Sequence, residues 1–303
     1  MSQHGLDLDG LNPISESERP MGPISYMLVM WSSVIIVQIM VIGTFLLQDG
    51  LNLYQTMTVG LVSGVIISLF ATLNGTPGLK YGIPFAVQVR SSFGYRGAVF
   101  PHVIRAIPAI AWYGIGSWIG ALAIDSIMRT SFQAPRLVFV YFIIFIALQT
   151  VLAYKGITSI KWFDASVSFI IIIMLIYFIY HVLAQGNLDF ATYTSAPGSW
   201  GLLFWGGVAA AIANLATVIV NSSDIIRHIK PATSGANSFA NFAGIIPPWM
   251  FMFVIGAFVF MGTGVDQPID GLIALSPSPV FGIILLTQLS HLKNHLKFNA
   301  DTT

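Results

Sequence analysis

The sequence predicts an all-α polytopic membrane protein, and three observations carry that prediction. Only 8% of the 303 residues are charged, against about 25% in ordinary soluble domains. The mean hydropathy is +0.80. Apolar runs of about 20 residues, the length that crosses ~30 Å of hydrocarbon at ~1.5 Å per residue, recur along the whole chain. There is no cysteine, so disulfides, thiol chemistry and cysteine metal sites are excluded. The net charge of +1 argues against a nucleic-acid partner.

Seven complete hydrophobic spans and one incomplete one are predicted, over 24–48, 55–74, 98–128, 136–154, 162–184, 200–221, 240–264 and 279–292. They make a transmembrane domain over 24–292, between an N-terminal tail of residues 1–23 and a polar tail of residues 293–303. Residues 1–20 carry Asp7, Asp9, Glu16 and Glu18 without an apolar signal-peptide core. The first span is therefore expected to direct insertion. With residue 1 inside, Arg19, Lys80, Arg90, Arg96, Arg105, Lys155, Lys161, Arg227, Lys230, Lys293 and Lys297 are cytoplasmic, and only Arg129 and Arg136 are external. Eleven against two satisfies the positive-inside rule. A multi-pass protein of the cell membrane with a cytoplasmic N-terminus is expected, with the lipid bilayer as its surroundings.

The first span carries Ser32, Ser33 and Gln38 near its middle. A glutamine amide at that depth is costly unless paired. It serves either helix–helix hydrogen bonding or a broken helix that offers carbonyls to a cation and side chains to a substrate. The connector after the second span is dense in Gly, Pro and Arg. Its turn residues exclude one continuous helix, its charges read as solvated or topogenic, and it has no GxGxxG phosphate loop. The third span centres on Arg105–Met128. Gly116 and Gly120 in GxxxG spacing let another helix approach. Trp112 and Trp118 lie well inside it, and Trp112 beside Gly114 and Gly116 is either a packing filler or a wall for a flat heterocycle. In the sixth span, Asn214 and Asn221 are seven residues apart, so one helix would set them on nearly the same face. They are either structural glue or part of a polar cavity. Asp224 before Arg227 and Lys230 reads as a local ion pair. Pro247 and Pro248 predict a kink in the seventh span. The eighth begins well in PVFGIILLTQLS, but about a dozen apolar residues do not cross the bilayer. His291 and His295 lack the glutamate of an HExxH metal site. With no catalytic triad or carboxylate pair in the spans, an enzyme is not expected.

Five segments resemble the nucleobase–cation symporter-1 family: ERPMGPISY, KYGIPFAVQVRSSFGYRGAVFP, AWYGIGSWIGALA, YKGITSIKWF and NLATVIVNSSDIIRHIK. The arrangement is most similar to the hydantoin and allantoin branch. The resemblance implies a LeuT-like fold, in which helices 1–5 and 6–10 form inverted repeats and helices 1 and 6 are broken at the midplane. It implies a monomeric secondary active transporter that imports a nucleobase-like small molecule, such as allantoin, hydantoin, cytosine or another purine or pyrimidine. The coupling ion would be Na⁺ or H⁺, and no cofactor is implied. The family's ring-stacking tryptophan falls on Trp112, and a polar contact one turn later falls on Gly116, where it is lost. The first-helix glutamine falls on Val37 or Gln38. The sixth-helix aromatic falls on Leu215, a departure, and the adjacent backbone contact on Asn214. Cation ligation falls near Ser33 and Ile36 and on Ser290. After Ser290 the chain departs from the family pattern, so the fold is expected to be incomplete after the start of the eighth helix. The competing expectation is a truncated, transport-inactive membrane fragment or an interaction subunit.

Overall fold

A computed structural model describes residues 11–154, 172–185, 188–230 and 234–264, and positions 271, 272, 275, 278 and 281. Among them, regular structure is helical, apart from a bridge between Met21 and Ile229. The first span forms α1 (Pro23–Val34) and α2 (Val37–Gln48), bent by 57° at a break between them. The break falls in Val34-Ile35-Ile36-Val37, four consecutive β-branched residues that resist helical packing. Next comes α3 (Leu53–Tyr81). It opens on a capping box in which Gln55 N donates to Asn52 Oδ1 at 2.9 Å and Asn52 N to Gln55 Oε1 at 3.3 Å. It ends at Gly82, whose φ of 68° suits a left-handed cap.

The connector folds as α4 (Phe85–Gln88) and α5 (Arg90–Gly97) and leads into α6 (Val99–Phe132). Then follow α7 (Val138–Tyr154), α8 (Ile172–Gln185) and α9 (Phe190–Ser195). Asp189 caps α9. Hydrogen bonds from the Thr192 hydroxyl and N–H hold its carboxylate below the ordinary range. The sixth span is divided into α10 (Leu202–Asn214), α11 (Ala216–Val220) and α12 (Ser222–Ile226), and the chain continues into α13 (Ser234–Thr263). Among the described residues, α3, Val99–Asp125 of α6, Gly235–Thr263 of α13 and the bent α1–α2 pair are long and apolar enough to cross a membrane. Ser290 and most of the eighth span lie outside the described residues.

The centre of the molecule is α13, packed against α1, α2 and α3. Trp249 is fully buried there, and its Nε1 donates to Gly60 O at 2.9 Å and Ser63 Oγ at 3.1 Å. Small residues set the spacing of α2 and α13. A Cβ on Gly256 would lie 2.0 Å from Met40 O, and one on Gly43 2.8 Å from Phe253 O. Thr44 Oγ1 donates to Gly256 O across this contact at 2.9 Å. Gly256→Ala must push two backbones apart, and overpacking of this kind costs about 1–3 kcal/mol. A lowered melting temperature of the detergent-solubilised protein is expected, with Gly206→Ala, which has open space around it, as the unaffected control.

Four details differ from the sequence reading or go beyond it. First, α3 runs through Asn74-Gly75-Thr76-Pro77-Gly78 instead of turning there. Gly75 and Gly78 allow α12 to approach: a Cβ on Gly78 would lie 2.6 Å from Ser223 O, and one on Gly75 2.1 Å from Ile226 Cδ1. Packing against α12 outweighs turn propensity. Second, Trp118 does not face the interior. It is 40% exposed and meets Phe142 and Phe139 of α7 edge-on, at 5.5 and 6.4 Å between ring centroids. Gly120 makes the close contact with α7, since a Cβ there would lie 2.4 Å from Phe145 Cε1. Third, no single helix carries both Asn214 and Asn221, because helical geometry is interrupted at Leu215 (φ −101°, ψ 12°) and at Asn221. Fourth, Asp224 pairs with Arg105 of α6, 119 residues away, at 2.8 Å.

Arg19 has a structural role. It is 2% exposed, and its guanidinium donates to the carbonyls of Leu79, Ile14 (3.3 Å) and Ile229 (3.4 Å). The Leu79 carbonyl belongs to the last turn of α3, where the helix dipole favours a cation. With Met21 N donating to His228 O and Lys230 N to Met21 O, the N-terminal segment is tied to the ends of α3 and α12.

Candidate substrate site

The break between α1 and α2 is the first half of the candidate site. Ile35 (φ −76°, ψ 83°) and Ile36 (φ −137°, ψ 147°) leave helical geometry, and α2 starts without a side-chain cap. The ladder that would carry Ser32, Ser33 and Val34 carbonyls to the next turn is interrupted. The carbonyl end of α1 and the N–H end of α2 therefore meet, bringing partial charges of opposite sign to one place. Ser33 Oγ donates to Val29 O at 2.9 Å, so its proton is already placed and its oxygen retains lone pairs. Ile36 O accepts from Ile39 N at a long 3.2 Å. Val37 is fully buried. Gln38 is 5% exposed, and neither Oε1 nor Nε2 has a hydrogen-bond partner. Each such unmet group costs about 1–3 kcal/mol, and native interiors hold few of them.

The second half is the interruption at Leu215. It precedes Thr217-Val218-Ile219-Val220, another β-branched run. Asn214 Oδ1 and Thr217 Oγ1 are buried and without partners. Ile36, Val37 and Leu215 belong to one apolar cluster, together with Ile119 of α6 and Phe178 of α8. The two interruptions thus contribute to one apolar core, and buried polar atoms without partners neighbour each in sequence: Gln38 Oε1 and Nε2 the first, Asn214 Oδ1 and Thr217 Oγ1 the second. Trp112 stands outside that cluster, half-buried on α6 one turn beyond Pro108; Gly116 is buried on the same helix. Among the described residues no group of His, Cys, Asp or Glu could hold a metal ion.

Sequence reasoning missed one feature, the node around Asp224. Its Oδ2 accepts from Arg105 at 2.8 Å and its Oδ1 from the Phe85 backbone N–H at 2.7 Å. Arg105 also donates to Asn221 Oδ1 at 2.9 Å and lies 4.9 Å over the Phe85 ring. The signal was present: Asp224 is the one acidic residue between Asp189 and Asp266, and a lone acid among apolar residues requires a cation.

Known proteins resemble the chain over much of its length. The hydantoin permease of Microbacterium maritypicum is 26% identical over 273 residues, which cover 85% of this chain and 54% of that protein. The allantoin permease of Bacillus subtilis (strain 168) is 27% identical over 205 residues, covering 60% of this chain and 41% of that protein. The chain spans about half the length of the curated relatives it matches. Mhp1, a nucleobase-cation-symport-1 family transporter solved in a closed conformation with bromovinylhydantoin bound, superposes with a TM-score of 0.83 at 22% identity. That match covers 96% of this chain and 66% of Mhp1, and it establishes the LeuT-like fold. The profile of the family described as permease for cytosine/purines, uracil, thiamine and allantoin matches residues 13–299. The chain therefore belongs to this family of multi-pass membrane transporters, the nucleobase–cation symporter-1 permeases, and is not an enzyme.

Proposed function

We propose that this protein imports a planar, nucleobase-like heterocycle across the cell membrane, driven by Na⁺ or H⁺, with its N-terminus in the cytoplasm. The observation that carries the reading is Gln38, a buried amide whose donor and acceptor both lack partners at a helix break. An amide of this kind is complementary to the adjacent N–H and C=O groups of a ureide, hydantoin or nucleobase ring. Asn214 Oδ1 and Thr217 Oγ1, unmet near the second interruption, are further polar contacts for the same ring or its hydration. Trp112 supplies a stacking face and Leu215 an aliphatic one, and Gly116 leaves room. Hydantoin is part of the printed name of one relative and allantoin of another, and these are the first two substrates to test.

The coupling ion sits at the carbonyl end of α1, near Ser33 and Ile36, where the dipole favours a cation; Ser290 is the contact from the eighth span. Ion and substrate are linked because each makes contacts in one conformation that the other conformation lacks. Family membership favours transport over an interaction subunit. Cells expressing residues 1–303 are offered radiolabelled allantoin, hydantoin, cytosine and uracil, with Na⁺ replaced by choline or the proton gradient collapsed. Saturable uptake of at least one compound, lost when its ion is removed, is expected. Uptake equal to vector-only cells for all four contradicts the proposal.

A further inference from the structure

We infer that the cavity beside α5 and α6 is a binding site for an anionic phospholipid, with an acyl chain in the cavity and the headgroup on Arg90 and Arg96. The cavity measures about 750 Å³, and its walls come from α3, the α4–α5 connector, the first turns of α6, and α11. Its polar groups are already engaged. Asn74 Nδ2 donates to Ile219 O at 2.8 Å and Val220 O at 3.0 Å, and Gln88 Nε2 donates to Asn74 Oδ1 at 3.0 Å. Arg105 is held by Asn221 and Asp224. Of the lining side chains with polar atoms, Thr217 alone carries a buried atom without a partner. A polar heterocycle entering here would lose its hydration for little return, whereas hydrocarbon matches the wall.

The mouth of the cavity points to the same occupant. Phe70, Phe93, Phe100 and Ile104 line it and are each half or more exposed. Membrane-capable helices contribute three of these side chains, so a lipid tail can enter sideways. The rim is basic. No acidic residue occurs between Asp49 and Asp125, while Lys80, Arg90, Arg96 and Arg105 all do. Among the described residues the one ion pair is Arg105–Asp224, which neutralises Arg105 and leaves Arg90 and Arg96 without a carboxylate. Arg90 rests 5.0 Å over the Tyr95 ring, and Arg96 is exposed. Topology alone asks only for positive charge on this side; it does not ask for an apolar cavity next to the charge. A phosphate over a hydrocarbon tail satisfies both, and basic juxtamembrane clusters attract anionic lipid. This inference does not depend on which substrate is carried.

The test uses the purified 303-residue protein in detergent and native mass spectrometry with dioleoyl phosphatidylglycerol or dioleoyl phosphatidylcholine. The phosphatidylglycerol adduct is expected to persist at several-fold lower lipid concentration than the phosphatidylcholine adduct. Arg90→Gln with Arg96→Gln is expected to erase that preference without altering the chromatographic profile. A phosphatidylglycerol with a diazirine on its acyl chain is expected to crosslink within residues 93–104 or 216–220, and Ile104→Trp, which fills the cavity, to suppress the crosslink. Equal retention of the two lipids, an undiminished preference in the arginine variant, or crosslinks confined to other helices overturns the inference. So does the absence of any crosslink, the result if another segment of the protein occupies the cavity.

Discussion

Asp224→Ala is expected to destabilise the protein more than any other single substitution considered, by about 3–5 kcal/mol, the usual cost of breaking a buried ion pair from one side. The pair is 2.8 Å long, with the Arg105 and Asp224 side chains 14% and 8% exposed. Removing the carboxylate leaves Arg105 with Asn221 and the Phe85 ring. It also removes the acceptor for the Phe85 N–H that starts α4. One residue thus ties α12 to α6 and to the connector. Folded domains are stable by only about 5–15 kcal/mol, so the yield of monodisperse protein should fall sharply. Asp224→Asn should lose less, because an amide oxygen still accepts from Phe85. The double variant Arg105→Met with Asp224→Leu should be more stable than the sum of the single losses, since no charge remains unpaired. Melting temperatures of wild type, Asp224→Ala, Asp224→Asn, Arg105→Met, Asp224→Leu and the double variant check this. Wild-type melting in all the single variants would show that the pair is solvated and has little weight.

Gln38→Leu is expected to have opposite effects on stability and on binding. The side chain is buried with both amide atoms unmet, so replacing it with an apolar residue of similar length removes a penalty of about 1–3 kcal/mol per group. The variant should melt higher than wild type. It should also lose substrate binding, because the donor–acceptor pair proposed to read the ring is gone. A residue retained for packing would show a loss of stability, and a residue irrelevant to binding would leave affinity unchanged. Retained stability cost at a functional position is a common trade-off. Radioligand binding to the purified variant, set beside its melting curve, distinguishes the cases.

Much of the fold was legible because membrane helices announce themselves in apolar runs, and the long described helices α3, α6, α7 and α13 overlap the predicted spans, whereas the short helices α4, α5, α9 and α12 lie outside them. The break in the first span was visible as a possibility because Gln38 is out of place in hydrocarbon; Val34–Val37 explains where the backbone gives way. What was not legible came from contacts between distant parts of the chain. The pairing of Asp224 with Arg105 spans 119 residues, and a local reading assigned each of them a nearer role. The spacing of Asn214 and Asn221 was read on an unbroken helix, whereas the helix is interrupted at Leu215. Gly75 and Gly78 carry the composition of a turn, yet their missing side chains admit α12. For the candidate site, the sequence offered Gln38 and Asn214 as polar residues in apolar spans, but only the folded structure shows that both are buried and which of their atoms remain unmet.

The central claim, that substrate lies between the two helix interruptions, can be tested in a chain without cysteine. A single cysteine is placed at Leu215, with Gly206→Cys, at an exposed position with open space around it, as the reference. Reaction with a small methanethiosulfonate is timed in membranes with and without whichever of the four compounds is taken up. The account predicts that Leu215→Cys reacts and is slowed by saturating substrate, while Gly206→Cys reacts at an unchanged rate. Equal rates at Leu215→Cys with and without substrate, or no reaction there under any condition, would contradict it.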